Sequence, residues 1–150
     1  MAVAHNWLQR KGNRMIRTRT AIGVALTIFA SATLAADQIP PDLVGVWATD
    51  GSVLKGQLLF EGRAMYLGAD GVGAIVGGPP PIGFKIVATF DAQNNELELD
   101  AYEGAKRGPH SSFTFDPKSR TFDLGAPKHA LLHRKFDAFP DETKNALGLK

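Results

Sequence analysis

The chain has 150 residues, 17 Lys and Arg against 15 Asp and Glu, and no cysteine. The missing cysteine excludes disulfides, thiolate metal centres and thiol redox chemistry. Charge is unevenly spread: five cations, Arg10, Lys11, Arg14, Arg17 and Arg19, precede residue 36 and no acid does, so residues 36–150 hold 12 cations against 15 acids, a net −3 with neutral histidines. That balance points away from nucleic acid.

The basic stretch leads into an apolar run over residues 21–30, then Ser31-Ala32-Thr33-Leu34-Ala35-Ala36 before Asp37. This order reads as a Sec-type signal peptide, residues 1–35, with cleavage expected after Ala35 because Thr33 and Ala35 fit the small positions of the site. No two arginines are adjacent, which argues against the twin-arginine route. Met15 offers a second start, from which Arg17 and Arg19 alone make an ordinary basic region. The apolar run is well short of the ~20 residues that span a bilayer. A periplasmic or secreted protein is expected, with no membrane span after cleavage, and residues 36–150 as its single domain.

Beyond the signal, turn signals recur every ~8–12 residues, the spacing of an all-β meander. Residues 44–49 read as a first strand, ended by Asp50-Gly51-Ser52. Residues 57–60 and 63–67 read as strands flanking a tight turn at Glu61-Gly62. Asp70-Gly71, suited to a two-residue turn, leads into a strand over 72–76. Gly77-Gly78-Pro79-Pro80-Pro81 reads as a loop, because its prolines donate no ladder bonds.

In the strand over 83–90, Phe84, Ile86, Ala88 and Phe90 share one face, expected inward, with Lys85 on the other. In Glu96-Leu97-Glu98-Leu99-Asp100-Ala101 carboxylates alternate with apolar residues, which predicts one wet face and one core face. Residues 111–115 and 120–124 form a hairpin around Asp116-Pro117-Lys118-Ser119, and Gly125-Ala126-Pro127 turns the chain again. Residues 129–136 are expected as the return strand, with Ala130, Leu132, Arg134 and Phe136 on one face. Residues 141–147 read as a terminal helix stopped by Gly148. The expected fold is therefore an antiparallel up-and-down meander of about eight to nine strands, closing into a small barrel, with a short C-terminal helix. A sandwich is the alternative.

Gly45-Val46-Trp47, following Pro40-Pro41-Asp42-Leu43-Val44, resembles the Gly-x-Trp motif that opens the lipocalin and fatty-acid-binding families, the calycins. The resemblance implies an up-and-down barrel whose closed end is capped by the motif, with a late-strand arginine packed over the tryptophan. Arg134 fills that place, since an arginine on an apolar face is accounted for by stacking on an aromatic ring. Gly45, Trp47 and Arg134 are thus expected as a structural set. The other tryptophan, Trp7, falls in the signal, which departs from the tryptophan-rich sites of avidins. The resemblance carries the fold and no particular ligand, so the ligand-binding residues stay unassigned.

No catalytic motif accompanies this frame, and neither an enzyme nor a cofactor is expected. His129 and His133 have the spacing of a metal pair in a helix, but in a strand they stand about 13 Å apart, so surface histidines are expected and no metal. His110 beside Ser111 and Ser112 lacks the Gly-x-Ser-x-Gly elbow of a hydrolase. Glu96, Glu98 and Asp100 read as a solvated strand face, and the glycines of residues 68–78 lack the Lys and Ser/Thr of a phosphate loop. The expected function is a non-enzymatic binding protein holding a small apolar or amphipathic ligand. The alternative is an envelope interaction protein, of inhibitor or immunity type, presenting the stiff segment from Gly77 to Pro81 to a protein partner.

Overall fold

The structure, a computed structural model, describes residues 39–125 and 129–149. The expected export segment lies outside the described residues, as do Ala126 and Pro127 of the turn before the last strand. The strands are β1 (Gly45–Thr49), β2 (Val53–Lys55), β3 (Leu58–Leu67), β4 (Val72–Gly78), β5 (Ile82–Asp91), β6 (Glu96–Glu103), β7 (Lys106–Asp116), β8 (Thr121–Asp123) and β9 (Leu131–Phe136), followed by α1 (Asp141–Ala146). From β3 to β9 each strand pairs antiparallel with its successor. β1 then pairs with β9 on one edge and β3 on the other, so eight strands close into a barrel and β2 lies outside it. That second pairing of β1 sets aside the sandwich.

Strict alternation builds the barrel wall. Ile86 and Ala88 of β5 and Leu97 and Leu99 of β6 are buried inside, while Lys85, Val87 and Glu98 between them are exposed. Phe90 is half-buried against the same core. Phe84 keeps the inward parity but is 43% exposed, because it stands at the rim rather than over the core. β6 and β7 run on beyond the expected strands to Glu103 and Lys106, making a hairpin that protrudes from the wall and stays exposed from Glu103 to His110. Polar residues on both faces hid this stretch from a pattern search for half-buried strands.

The Glu61-Gly62 pair does not reverse the chain. β3 runs through it, and at Gly62, where φ is +100°, it turns a corner. Tyr66 Oη donates to Gln57 O (2.7 Å) and accepts from Leu59 N (2.9 Å), seven residues earlier in the chain. A straight strand would separate those residues by about 23 Å. The β2–β3 hairpin therefore folds back over the outside of the wall. A Cβ on Gly62 would lie 2.3 Å from Ser52 Oγ and 2.9 Å from Ser52 Cα, so the corner needs glycine. Between the β1 and β2 pairings, the Ser52 hydroxyl serves the Arg63 backbone, accepting from its N–H and donating to its carbonyl (both 3.2 Å).

The folded-back hairpin and the C-terminal segment cover a second core outside the barrel. Val46, Ala48, Ala64, Tyr66, Ala74 and Val76 face outward from β1, β3 and β4, yet are buried with Leu59 and Phe139, against which Leu147 and Leu149 pack. α1 ends one residue short of the expected helix, with Gly148 at φ +67°. Gly148 N–H donates to Asn145 O (3.0 Å) and Leu149 N–H to Lys144 O (2.9 Å), the Schellman pattern that turns the following leucine back onto the wall.

The end of the barrel at Gly45 is sealed. Trp47 is fully buried, donates Nε1–H to Leu43 O (2.9 Å), and meets Phe122 edge-on at 4.8 Å between ring centroids. Arg134 stands opposite Trp47 in the β1–β9 register, its guanidinium carbon 5.8 Å from the indole centroid. Arg134 Nη2 also donates to Val44 O (2.7 Å), and Nε lies 3.1 Å from Asp137 Oδ1. Gly45, at φ +137°, lets β9 approach: a Cβ there would sit 2.1 Å from Phe136 O. The expected common face of Leu132, Arg134 and Phe136 is broken, because the register shifts and leaves Lys135 without an opposite number. Phe136 consequently turns to the outer core.

Two outcomes follow from this packing. Arg134→Ala should lower stability by on the order of 2 kcal/mol in urea unfolding, from a lost charged hydrogen bond and cation–π contact, and shift tryptophan fluorescence. Lys135→Ala, on the opposite face, should do neither. Tyr66→Phe should cost about 1–3 kcal/mol by orphaning the buried Leu59 N–H, and hydrogen exchange at that amide should accelerate. Burial raises the Tyr66 phenol above its ordinary 10.0, so its contribution is complete below pH 10 and is lost as pH climbs through the folded value. The phenylalanine variant should lack that alkaline decline.

Candidate functional site

The other end of the barrel is open. There the chain turns at Pro79–Pro81 between β4 and β5 and at Gly104-Ala105 between β6 and β7, and β8 leaves through Leu124. Between these turns lies a cleft of about 580 Å³. Arg63 of β3, Ile75 and Gly77 of β4, and Ile82 and Phe84 of β5 form one wall; Phe113 of β7 and Leu124 face them. Phe113, Ile75 and Leu124 belong to the barrel core or pack on it, so they make the floor. Ile82, 61% exposed, and Phe84 make the rim.

The cleft is a cup rather than a channel. Beneath its floor Phe90, Phe115, Phe122 and Trp47 fill the barrel with edge-on and tilted ring contacts, Phe115 to Phe122 being 5.0 Å between centroids. Its depth depends on Gly77, whose inward position would carry a side chain in another strand; a Cβ there would meet only Gly62 O, at 4.0 Å. The expected loop from Gly77 to Pro81 is accordingly shorter, since Gly77 and Gly78 are ladder residues of β4 paired with β3. Arg63, opposite Gly77 in that ladder, carries the single charge of the lining. Among the described residues no carboxylate pairs with it.

A smaller groove of about 400 Å³ lies on the outer wall between Leu58, Pro81 and Leu147, and another of about 310 Å³ beside Phe139 and Lys144. Neither combines a wholly apolar floor with a free charge.

The residues singled out in the sequence fall elsewhere. Gly45, Trp47 and Arg134 come together at the sealed end, away from the cup. His129 and His133 part company: His129 Nδ1 lies 2.9 Å from Asp123 Oδ2, and His133 Nε2 lies 3.4 Å from Asp50 Oδ2. Among the described residues no group of three or more metal-ligating side chains gathers, and no helix is long and apolar enough to cross a membrane. Ser111 shares the inner face of β7, opposite to His110, whereas Ser112 donates to Glu96. His110 Nδ1 instead lies 3.1 Å from Asp100 Oδ1, beside the Arg107 guanidinium at 2.7 Å from the same carboxylate.

The cup residues escaped sequence reading because they come from five separate stretches of chain. The one local signal was Ile82 and Phe84 directly after three prolines, too apolar a pair for a solvated turn.

Hydrogen bonds from Arg107, and then His110, hold the Asp100 carboxyl below its ordinary 3.8. Any stability it lends is present above pH 3.8 and lost as pH falls through the lower, folded value. NMR titration of Arg107→Gln should show Asp100 moving back up. Comparison with protein-family models, with curated proteins and with solved structures finds no match for the chain.

Proposed function

We propose that the chain is an exported, non-enzymatic binding protein of calycin-like type, holding a small apolar or amphipathic molecule at the open end of its barrel. The observation that carries the reading is the 580 Å³ cup with an apolar floor and an exposed Ile82–Phe84 rim. Its volume falls within the ~300–1,000 Å³ of small-molecule sites. Binding rather than turnover is favoured by the lining, whose one ionisable side chain is a guanidinium, a group that stays protonated and exchanges no proton at working pH. Export rests on the basic, apolar and small-residue succession of residues 10–36. A calycin-like identity is supported by the closed eight-stranded meander and by Arg134 over Trp47 at its sealed end.

A second reading keeps the same end of the barrel but gives it a protein partner of the cell envelope. Ile82, 61% exposed beside the Pro79–Pro81 turn, favours it, because a stiff apolar tip loses little entropy on docking. Native mass spectrometry of protein purified from its own host separates the two: a retained small molecule supports the first, a retained polypeptide the second.

Gly77→Leu tests the cup itself. A Cβ at Gly77 would have only Gly62 O within 4 Å, at ordinary van der Waals distance, so the thermal midpoint should stay close to that of the parent. Fluorescence enhancement of the neutral apolar probe N-phenyl-1-naphthylamine should appear with the parent and weaken tenfold or more with the variant. Equal enhancement by both proteins would place the apolar site elsewhere.

A further inference from the structure

We infer that the chain associates with a second copy of itself through the outer face of the β2–β3 hairpin, about a two-fold axis that crosses the strands at Leu58. The folded-back hairpin covers the outer core with Leu54 and Leu59, yet its other face stays bare. Val53, Leu58 and Phe60 stand there at 44%, 37% and 44% exposure. A lid needs one apolar face, and this one has two. The register shift between Val53 and Leu54 leaves Phe60 without an opposite number in the ladder, so the ridge they make is uneven and projects. A contiguous ridge of this kind, unlike scattered single side chains, marks a contact surface.

Beside the ridge lies a hole to receive it. The groove of about 400 Å³ between Leu58, Pro81 and Leu147 is lined by no charged and no polar side chain. Ridge and groove share Leu58, so both belong to one surface. A two-fold axis at Leu58 runs the two hairpins antiparallel and sets each Phe60 towards the other copy's groove, the self-complementarity that an isologous interface requires. Charge complementarity also selects a second copy. The face carries one cation and one anion, Lys55 opposite Leu58 and Glu61 opposite Val53, at its two ends. Both are exposed, and among the described residues neither has an ion-pair partner; Lys55 Nζ rests 3.6 Å from the Phe60 ring centroid. Antiparallel hairpins bring each Lys55 towards the Glu61 of the other copy, twice over. An anionic membrane would meet the same two opposite charges and gain no net attraction.

Sedimentation equilibrium of the chain as recovered from its host, over a roughly hundredfold range of concentration, should show the average mass rising from one chain towards two. Phe60→Asp should raise the dissociation constant about thirtyfold, the ordinary loss when an aromatic anchor leaves an interface. Its thermal midpoint should stay close to the parent's, because Phe60 is exposed within one copy. Lys55→Glu and Glu61→Lys should each weaken association, and the two together should restore it, since the swapped charges meet again across the axis. Ile82→Asp, at the mouth of the barrel, should leave it unchanged. A single chain at every concentration overturns the proposal, as does an association that Ile82→Asp abolishes and Phe60→Asp spares. A charge swap that restores nothing overturns the two-fold arrangement. A different polypeptide retained by the parent and lost from Phe60→Asp overturns the second copy as the occupant of this face.

Discussion

A strand of five residues, β1, is the seam of this barrel, and it must satisfy hydrogen bonds along both edges at once. Its partners come from opposite ends of the domain, with Arg134 reaching Val44 across 90 residues of sequence. Such closure is entropically costly until it is complete, so side-chain contacts must reward it at the seam itself. Trp47 does so from inside, filling the sealed end against Phe122 and Phe115. Val46 and Ala48 do so from outside, under Phe139 and the C-terminal leucines. Gly45 admits the neighbouring backbone that any side chain would repel.

Burial of β1 on both faces divides the wall into two regimes. Within the wall, residues 85–90 of β5, 96–100 of β6 and 111–116 of β7 have one dry face and one wet face and read in alternation. β1, the latter half of β3 and much of β4 are dry on both sides, so they read as continuous apolar runs such as Ala64-Met65-Tyr66-Leu67. An all-β protein with three of its eight wall strands covered on both faces needs lids. The bent hairpin and α1 supply them, tied to each other where Gln57 Nε2 donates to Ala138 O (3.2 Å).

Alternation and turn chemistry made most of this legible from sequence. Glu96 to Ala101 announced its own register, and Asp70-Gly71 and Asp116-Pro117 turned the chain where side-chain hydrogen bonds to following amides hold them, as Asp70 does for Val72. Gly62 was misleading because a glycine at positive φ marks a corner as readily as a reversal, and only the distant Ser52 and Tyr66 decide which. Phe84 was assigned to the right face, but its depth along the barrel depends on where the other strands end. The same limit hid the cup. Arg63, Gly77, Phe113 and Leu124 become neighbours through register and closure, which no local window contains, whereas Trp47 and Arg134 are paired by the resemblance of Gly45-Val46-Trp47 to a known motif together with the order of a closed meander.

The placement of the lids has a consequence for when this domain can exist. The inner seam needs β9 and the outer core needs Phe139, Leu147 and Leu149, so both depend on the last part of the described chain. A polypeptide that has emerged only as far as β8 has an open sheet, an uncovered Tyr66 wall and two free edges. It cannot bank structure progressively as a helical bundle does, because the contacts that reward closure are also the most remote in sequence. Closure of the barrel therefore waits for the last strand and the C-terminal leucines, and sequence-remote contacts of this kind make for slow folding.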